Sequence, residues 1–182
     1  ATSPDVHSAN TRLATAVGQT SYADNLGNVE IYYYDELNRV VAYTDGRGET
    51  EYYEFDADYN MVSMTDRNGH TTEYEYDTDG NMILRRDPVD NYSSLYYTED
   101  ASRWAYNSAN QVISYTNALN HTWTYEYDSA GNMTTVNAPD GTQTTATYNA
   151  WGQPLSITDA EGRTTEFTYD NTGNLTRTDY PD

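Results

Sequence analysis

The side chains able to do chemistry are few and do not converge. His7, His70 and His121 are the only histidines, and the chain has neither cysteine nor lysine. A catalytic centre needs a nucleophile or an acid–base pair held in a pocket. His70 and His121 instead follow the same turn position in two different copies of a repeat, which marks both as turn neighbours. Glu49/Glu51 and Glu73/Glu75 are i, i+2 pairs, so on a strand each pair shares one face and reads as solvated carboxylates. No residue is assigned a catalytic role, and no cofactor is expected.

Oxygen ligands are more plentiful. Asp56-Ala57-Asp58-Tyr59-Asn60 and Asp77-Thr78-Asp79-Gly80-Asn81 cluster the donors that hard cations such as calcium prefer. Neither loop carries the glutamate that closes an EF-hand, and the leading Asp recurs as a turn former whose side chain bonds its own backbone two residues on. No metal site is assigned. Asn91, Asn120, Asn132 and Asn174 head glycosylation sequons. Asn132 and Asn174 fall in the same repeat column as Asn60 and Asn81, so the turn accounts for them and Asn91 is the one expected to be exposed. Tyr92, Tyr96 and Tyr97 are the candidate partner contacts, because loops on repeat scaffolds tend to carry function.

What positions these residues is a repeat. An aromatic followed by Asp or Asn recurs at Tyr34, Phe55, Tyr76, Tyr106, Tyr127, Tyr148 and Tyr169, in steps of 21, 21, 30, 21, 21 and 21 residues. Seven residues before the aromatic stand Gly27, Gly48, Gly69, Glu99, Asn120, Gly141 and Gly162; four after it come Asn38, Tyr59, Gly80, Asn110, Gly131, Gly152 and Gly173. Gly and Asn enter positive φ cheaply, so both columns predict tight turns, with Tyr59 and Glu99 as misfits. Each period then holds two short strands. The first carries aromatics on one face (Tyr32/Tyr34, Tyr53/Phe55, Tyr74/Tyr76, Trp104/Tyr106, Tyr125/Tyr127, Phe167/Tyr169), broken only by Ala146. Strict alternation on the second puts Val41/Tyr43, Val62/Met64, Ile83/Arg85, Ile113/Tyr115 and Leu155/Ile157 together. Cross-strand pairs of these kinds contribute roughly 0.2–1 kcal/mol each.

The fold class is therefore all-β: tandem 21-residue β-hairpin repeats forming a twisted antiparallel sheet strip or partial shell. About fourteen strands are expected, roughly 65–70 Å if laid flat at about 4.8 Å per strand, and sheets of that size curl. Residues 1–17 form an irregular segment with a lone strand at Arg12–Val17, and residues 18–182 form the array, entered through a polar turn at Gly18–Asn25. An insertion falls at about 88–98. Asp179-Tyr180-Pro181-Asp182 matches the start of the turn at Pro139-Asp140-Gly141, so the array is expected either to continue in a longer polypeptide or to be completed by another copy.

Tyr76-Asp77-Thr78-Asp79-Gly80-Asn81, Tyr127-Asp128-Ser129-Ala130-Gly131-Asn132 and Tyr169-Asp170-Asn171-Thr172-Gly173-Asn174, with the turn Pro139-Asp140-Gly141-Thr142, resemble the motifs of the Rhs or YD-repeat family. The resemblance runs from Gly18 onward. It implies a β-sheet strip that coils into a shell, which in bacterial members encloses a toxic C-terminal segment and in teneurin ectodomains forms a similar barrel. The family's self-cleaving Asp-Pro-x-Gly motif is missing: Asp87-Pro88-Val89-Asp90 carries aspartate in place of the glycine and lies mid-array, where it reads as a turn.

Composition narrows the partners. A net charge of −20 opposes nucleic acid, whose binding rests on neutralised phosphates, and anionic membrane surfaces equally. No apolar run reaches the eighteen residues that would span a bilayer as a helix. The absence of Cys and Lys, the abundance of Asn, Thr and Tyr, and a start at Ala1-Thr2-Ser3-Pro4 without Met suggest an extracellular or cell-surface chain, processed or excised. The expected partners are flanking repeats or copies of the chain itself, through open strand edges. The alternative is a carbohydrate- or receptor-binding module that uses exposed aromatics. The leading expectation is a structural, non-enzymatic protein, either a wall segment of a YD-repeat shell or a subunit that self-assembles end to end into a fibre.

Overall fold

The structure, a computed structural model, describes residues 16–88 and 101–181. The chain divides into two compact units, residues 1–100 and 101–182. In the first, β1 (Gly18–Ala23), β2 (Val29–Tyr34), β3 (Val40–Thr44), β4 (Thr50–Phe55), β5 (Met61–Thr65), β6 (Thr71–Tyr76) and β7 (Met82–Arg86) follow one another as an antiparallel meander. In the second, β8 (Ala101–Tyr106), β9 (Val112–Thr116), β10 (Thr122–Tyr127), β11 (Met133–Asn137), β12 (Gln143–Tyr148), β13 (Pro154–Thr158), β14 (Thr164–Tyr169) and β15 (Leu175–Asp179) do the same. No helix occurs among the described residues. The all-β hairpin array is as the repeat columns require.

One backbone turn recurs among the described residues, headed by Asp or Asn everywhere except at Ala138. In the turn after β2, the Asp35 N–H donates to the Arg39 carbonyl and the Asn38 N–H to the Asp35 carbonyl, both at 3.0 Å, with Asn38 at φ 62°. This is a type I turn closed by a left-handed residue, a common hairpin loop. Asp35 Oδ1 accepts the Leu37 and Arg39 N–H groups at 3.0 and 2.9 Å, and Oδ2 accepts Arg39 Nε at 2.7 Å. The pattern repeats at Asp77, where Asp79 and Asn81 donate their N–H groups at 3.0 and 2.9 Å and Asn81 Nδ2 donates at 3.1 Å. Asn149 heads the same turn as an amide. The misfit Tyr59 takes the turn conformation at φ 70° despite its bulk, its ring lying 5.3 Å from the Arg39 guanidinium carbon.

Two expectations need correction. Gly18–Ala23 is not an entry turn but β1, paired residue for residue with β2 from Gly18↔Tyr34 to Ala23↔Val29. All six of its side chains are exposed, so it carries no apolar alternation to betray it; backbone hydrogen bonds to β2 hold it. Most of the lone strand expected at Arg12–Val17 lies outside the described residues. The second correction concerns the paired face. Tyr34 stands opposite Val40, Tyr33 opposite Ala42 and Tyr32 opposite Tyr43, so one residue is skipped. Directly paired residues share a face, and a β-bulge therefore sets Val40, not Val41, beside the aromatics with Tyr43. The same slip occurs in all seven hairpins that end on the aromatic pair.

Packing is shallow. Val41, Ala42, Leu84, Ala101 and Thr65 are buried, and among the described residues none of the larger side chains is fully enclosed. Cohesion comes instead from ladders of half-buried rings and from ties between repeats. Across four of the hairpins that join one repeat to the next, the tyrosine hydroxyl reaches the carbonyl at the bulge of the preceding repeat. Tyr76 Oη donates to Met61 O at 3.0 Å, Tyr127 to Val112 O at 2.8 Å, Tyr148 to Met133 O at 2.8 Å and Tyr169 to Pro154 O at 2.9 Å. Phe55 has no hydroxyl; there Arg39 crosses to the Asp56 carbonyl at 2.9 Å and stacks 5.0 Å over the ring. Thr pairs brace the same hairpins, Oγ1 to Oγ1 at 2.8 Å, at Thr44/Thr50, Thr65/Thr71, Thr116/Thr122 and Thr158/Thr164.

Tyr127→Phe removes one such tie and nothing else. Urea unfolding is expected to show a loss of about 0.5–1.5 kcal/mol, the net worth of one ordinary hydrogen bond, with m unchanged. A variant indistinguishable from wild type would show that the hydroxyl tie adds nothing to cohesion.

Candidate functional site

The oxygen clusters resolve into turns. Both carboxylate oxygens of Asp77 are taken up by Asp79 and Asn81, and those of Asp56 by Asp58 and Asn60. No group of three or more His, Asp or Glu placed to hold a metal ion occurs among the described residues. The histidines stay apart: His70 Nδ1 lies 3.4 Å from Asp66 Oδ2 within its own turn, His121 follows the turn residue Asn120 at φ 60°, and His7 lies outside the described residues. Glu51 is held by Arg67 Nε at 2.9 Å and by the Tyr53 hydroxyl at 2.7 Å. Glu73 pairs with Arg86 at 2.5 Å, and Glu49 and Glu75 are solvated.

The sequon residues divide in the same way. Asn132 and Asn174 donate their amide Nδ2 to Asp128 and Asp170, each at 2.9 Å, and Asn120 is itself the left-handed turn residue. Asn91, Tyr92, Tyr96 and Tyr97 all lie outside the described residues.

What the structure does assemble is a ring-lined face. In the first unit the bulge brings Val40 among Tyr32, Tyr43, Tyr53 and Phe55 around an open hollow of 560 Å³, with Glu51 at its rim. Tyr22, Tyr32 and Tyr43 form a ladder with centroids 6.0 and 4.9 Å apart. Burial raises the phenol pKa values of Tyr32 and Tyr43, and Glu30 adds to both. Tyr53 is pushed up to about 12, chiefly by burial and then by its hydrogen bond to Glu51. These phenols stay neutral and act as donors. Two arginines clasp the hollow: Arg39 over Phe55, and Arg67, which lies 5.6 Å from the centre of the Tyr43 ring while bonding Asp45 Oδ2 at 3.0 Å.

The second unit repeats the hollow in five of its six columns. Trp104, Val112, Tyr115, Tyr125, Tyr127 and Met133 line 460 Å³, and Trp104, Tyr115 and Trp123 stack with centroids 5.3 and 5.5 Å apart. Sequence reasoning found the aromatic column but missed these hollows, because their floor depends on the bulge bringing Val40 and Val112 to the aromatic side. The signal was present in the sequence: Val40, Met61, Met82, Val112, Met133, Pro154 and Leu175 form an apolar column one residue ahead of the one that strict alternation selects.

The family described as RHS Repeat matches residues 53–91, 106–143 and 148–182. No curated protein matches the chain. Among solved structures, a chain of the Photorhabdus luminescens Tc holotoxin pore superposes with a TM-score of 0.61 at 15% identity, over 85% of this chain and 9% of that one. A chain in the crystal structure of TcdB2-TccC3-Cdc42 gives 0.60 at 14% identity, over 90% and 10%. TcdB2-TccC3 without its hypervariable C-terminal region gives 0.59 at 14%, again over 90% and 10%. The chain spans about a tenth of the length of each, and at such identity the likeness is one of fold.

Proposed function

The chain belongs to the RHS Repeat family, and we propose that it acts as a structural, non-enzymatic wall segment of a larger repeat shell outside the cell. The observation that carries this is the tie between repeats: a tyrosine hydroxyl in one repeat bonds a backbone carbonyl of the one before it. Such a joint extends a wall and organises no active site. Among the described residues β1 pairs only with β2 and β15 only with β14, and unpaired strand edges invite further strands. We assign those edges to flanking repeats of the same polypeptide. The solved neighbours, in which the matching portion is about a tenth of a long chain, support that reading, and the acidic, lysine-free and cysteine-free composition supports the extracellular placement.

Light scattering and electron microscopy over a range of protein and salt concentrations test it. The expected particle has one size at all concentrations, and appending one further 21-residue repeat raises the melting temperature, as nearest-neighbour coupling in repeat arrays requires. Uniform fibres that grow with concentration and dissolve on Thr20→Lys with Tyr22→Lys, which charge the outer edge of β1, would overturn the wall segment in favour of a self-assembling subunit.

A further inference from the structure

The two ring-lined hollows differ most in charge: among the described residues only the first has arginines over its rings. Arg39 and Arg67 come from fixed repeat columns, one residue before the bulge strand and one residue into the next inter-repeat turn. At the matching places around the second hollow the chain has Gln111 and Pro139. Gln111 is engaged elsewhere, donating to the Gly131 carbonyl at 2.9 Å and accepting from Asn107 Nδ2 at 3.0 Å. Trp123 stands where the first hollow has Glu51, which adds indole surface and removes a carboxylate. Among the described residues no guanidinium lies over Trp104, Tyr115, Trp123, Tyr125 or Tyr127, whereas Phe55, Tyr59 and Tyr43 each face one at 5.0–5.6 Å.

Aromatic faces attract cations through their quadrupole, Trp most strongly. The first hollow shows that this ring geometry accepts a planar guanidinium on this backbone, and the second presents the richer set of rings without one. Residues 101–182 carry nine carboxylates and three arginines, so the surrounding field favours a positive guest. We propose that the hollow lined by Trp104, Val112, Tyr115, Tyr125, Tyr127 and Met133 is a docking site for arginine side chains of a basic polypeptide segment. A guanidinium suits it better than an ammonium, because it is planar, stacks on rings and is more weakly hydrated. The site does not rest on the shell reading: it takes its guest whether the array builds a wall or stands alone.

Titration of a short oligoarginine peptide into the whole chain at about 0.15 M salt, where charges beyond about 8 Å are screened, tests the site by tryptophan fluorescence and calorimetry. Saturable binding is expected. Trp104→Leu with Tyr115→Leu should weaken it about tenfold or more. Gln111→Arg with Pro139→Arg, which gives the second hollow the cations of the first, should weaken it to the same extent with unchanged circular dichroism. This second pair keeps every ring and decides the matter if the leucine variant fails to fold. Undiminished binding in the arginine variant would mean that the peptide sees only the acidic surface, and would overturn the site. So would a neutral oligosaccharide that saturates the hollow while oligoarginine does not.

Discussion

Acidification below pH 4 is expected to melt the array, and the turn aspartates are the reason. Asp24, Asp35, Asp45, Asp56, Asp66, Asp77, Asp128, Asp140, Asp159 and Asp170 all have carboxyls held below the ordinary value of 3.8. At Asp77, Asp128 and Asp170 the largest cause is the amide donated by Asn81, Asn132 and Asn174, followed by the N–H of the same residue. A group whose folded pKa is depressed contributes stability in full above its unfolded value and loses it as the pH falls through the folded one. The loss therefore falls below pH 3.8, and its steepness reflects many turns titrating together. Relief of the −20 net charge works the other way as the pH drops from 7, so stability should first hold or rise and then collapse. Melting followed by circular dichroism from pH 7 to pH 2 would trace this curve. The turns at Asn107, Asn117 and Asn149 show that an amide can head the same loop. Asp77→Asn, Asp128→Asn and Asp170→Asn together should fold and shift the acid limb to lower pH. An unmoved limb would place the acid sensitivity somewhere other than the turns.

Ala42→Asp is expected to cost about 3 kcal/mol or more, a large share of the roughly 5–15 kcal/mol that a folded domain holds, and to lower the denaturant midpoint of the first unit sharply. Ala42 is 0% exposed. It lies between Tyr33 on β2 and Tyr52 on β4, its direct cross-strand neighbours. An aspartate there brings a carboxylate into a space sized for a methyl group, and an unpartnered buried charge is among the few causes of losses this large. Ala42→Ser, which adds one hydroxyl, should cost much less. Denaturant titration of both variants separates burial of charge from loss of fit. An Ala42→Asp protein as stable as the parent would mean that β3 is not packed on the face that carries Tyr33 and Tyr52.

The repeat frame, the strand count to within one and the described turns other than the one at Tyr59 were legible because each rests on residue types with local meaning: Gly and Asn at positive φ, Asp at the head of a turn, an aromatic on alternate positions. What escaped depends on what another strand does. The bulge that sets Val40 beside Tyr34 is a property of pairing, and period-two reasoning along a single strand selects Val41 instead. β1 escaped because its side chains are all exposed and its backbone pairing with β2 leaves no apolar alternation to read. The tyrosine hydroxyl ties escaped because donor and acceptor lie fifteen residues apart, across a repeat boundary, with a main-chain acceptor that has no signature in the sequence. Glu51 read as solvated, but Arg67, brought over from the next repeat, covers it.

That choice of acceptor has a consequence for how such arrays can change. Where the tyrosine of a repeat grips a carbonyl that every residue possesses, that repeat makes no demand on the side chain it docks against. Met61, Val112, Met133 and Pro154 serve equally well. A gene segment encoding one such unit can be duplicated, deleted or exchanged by recombination without a matching mutation in its neighbour, leaving copy number and order free to drift while the joint stays the same.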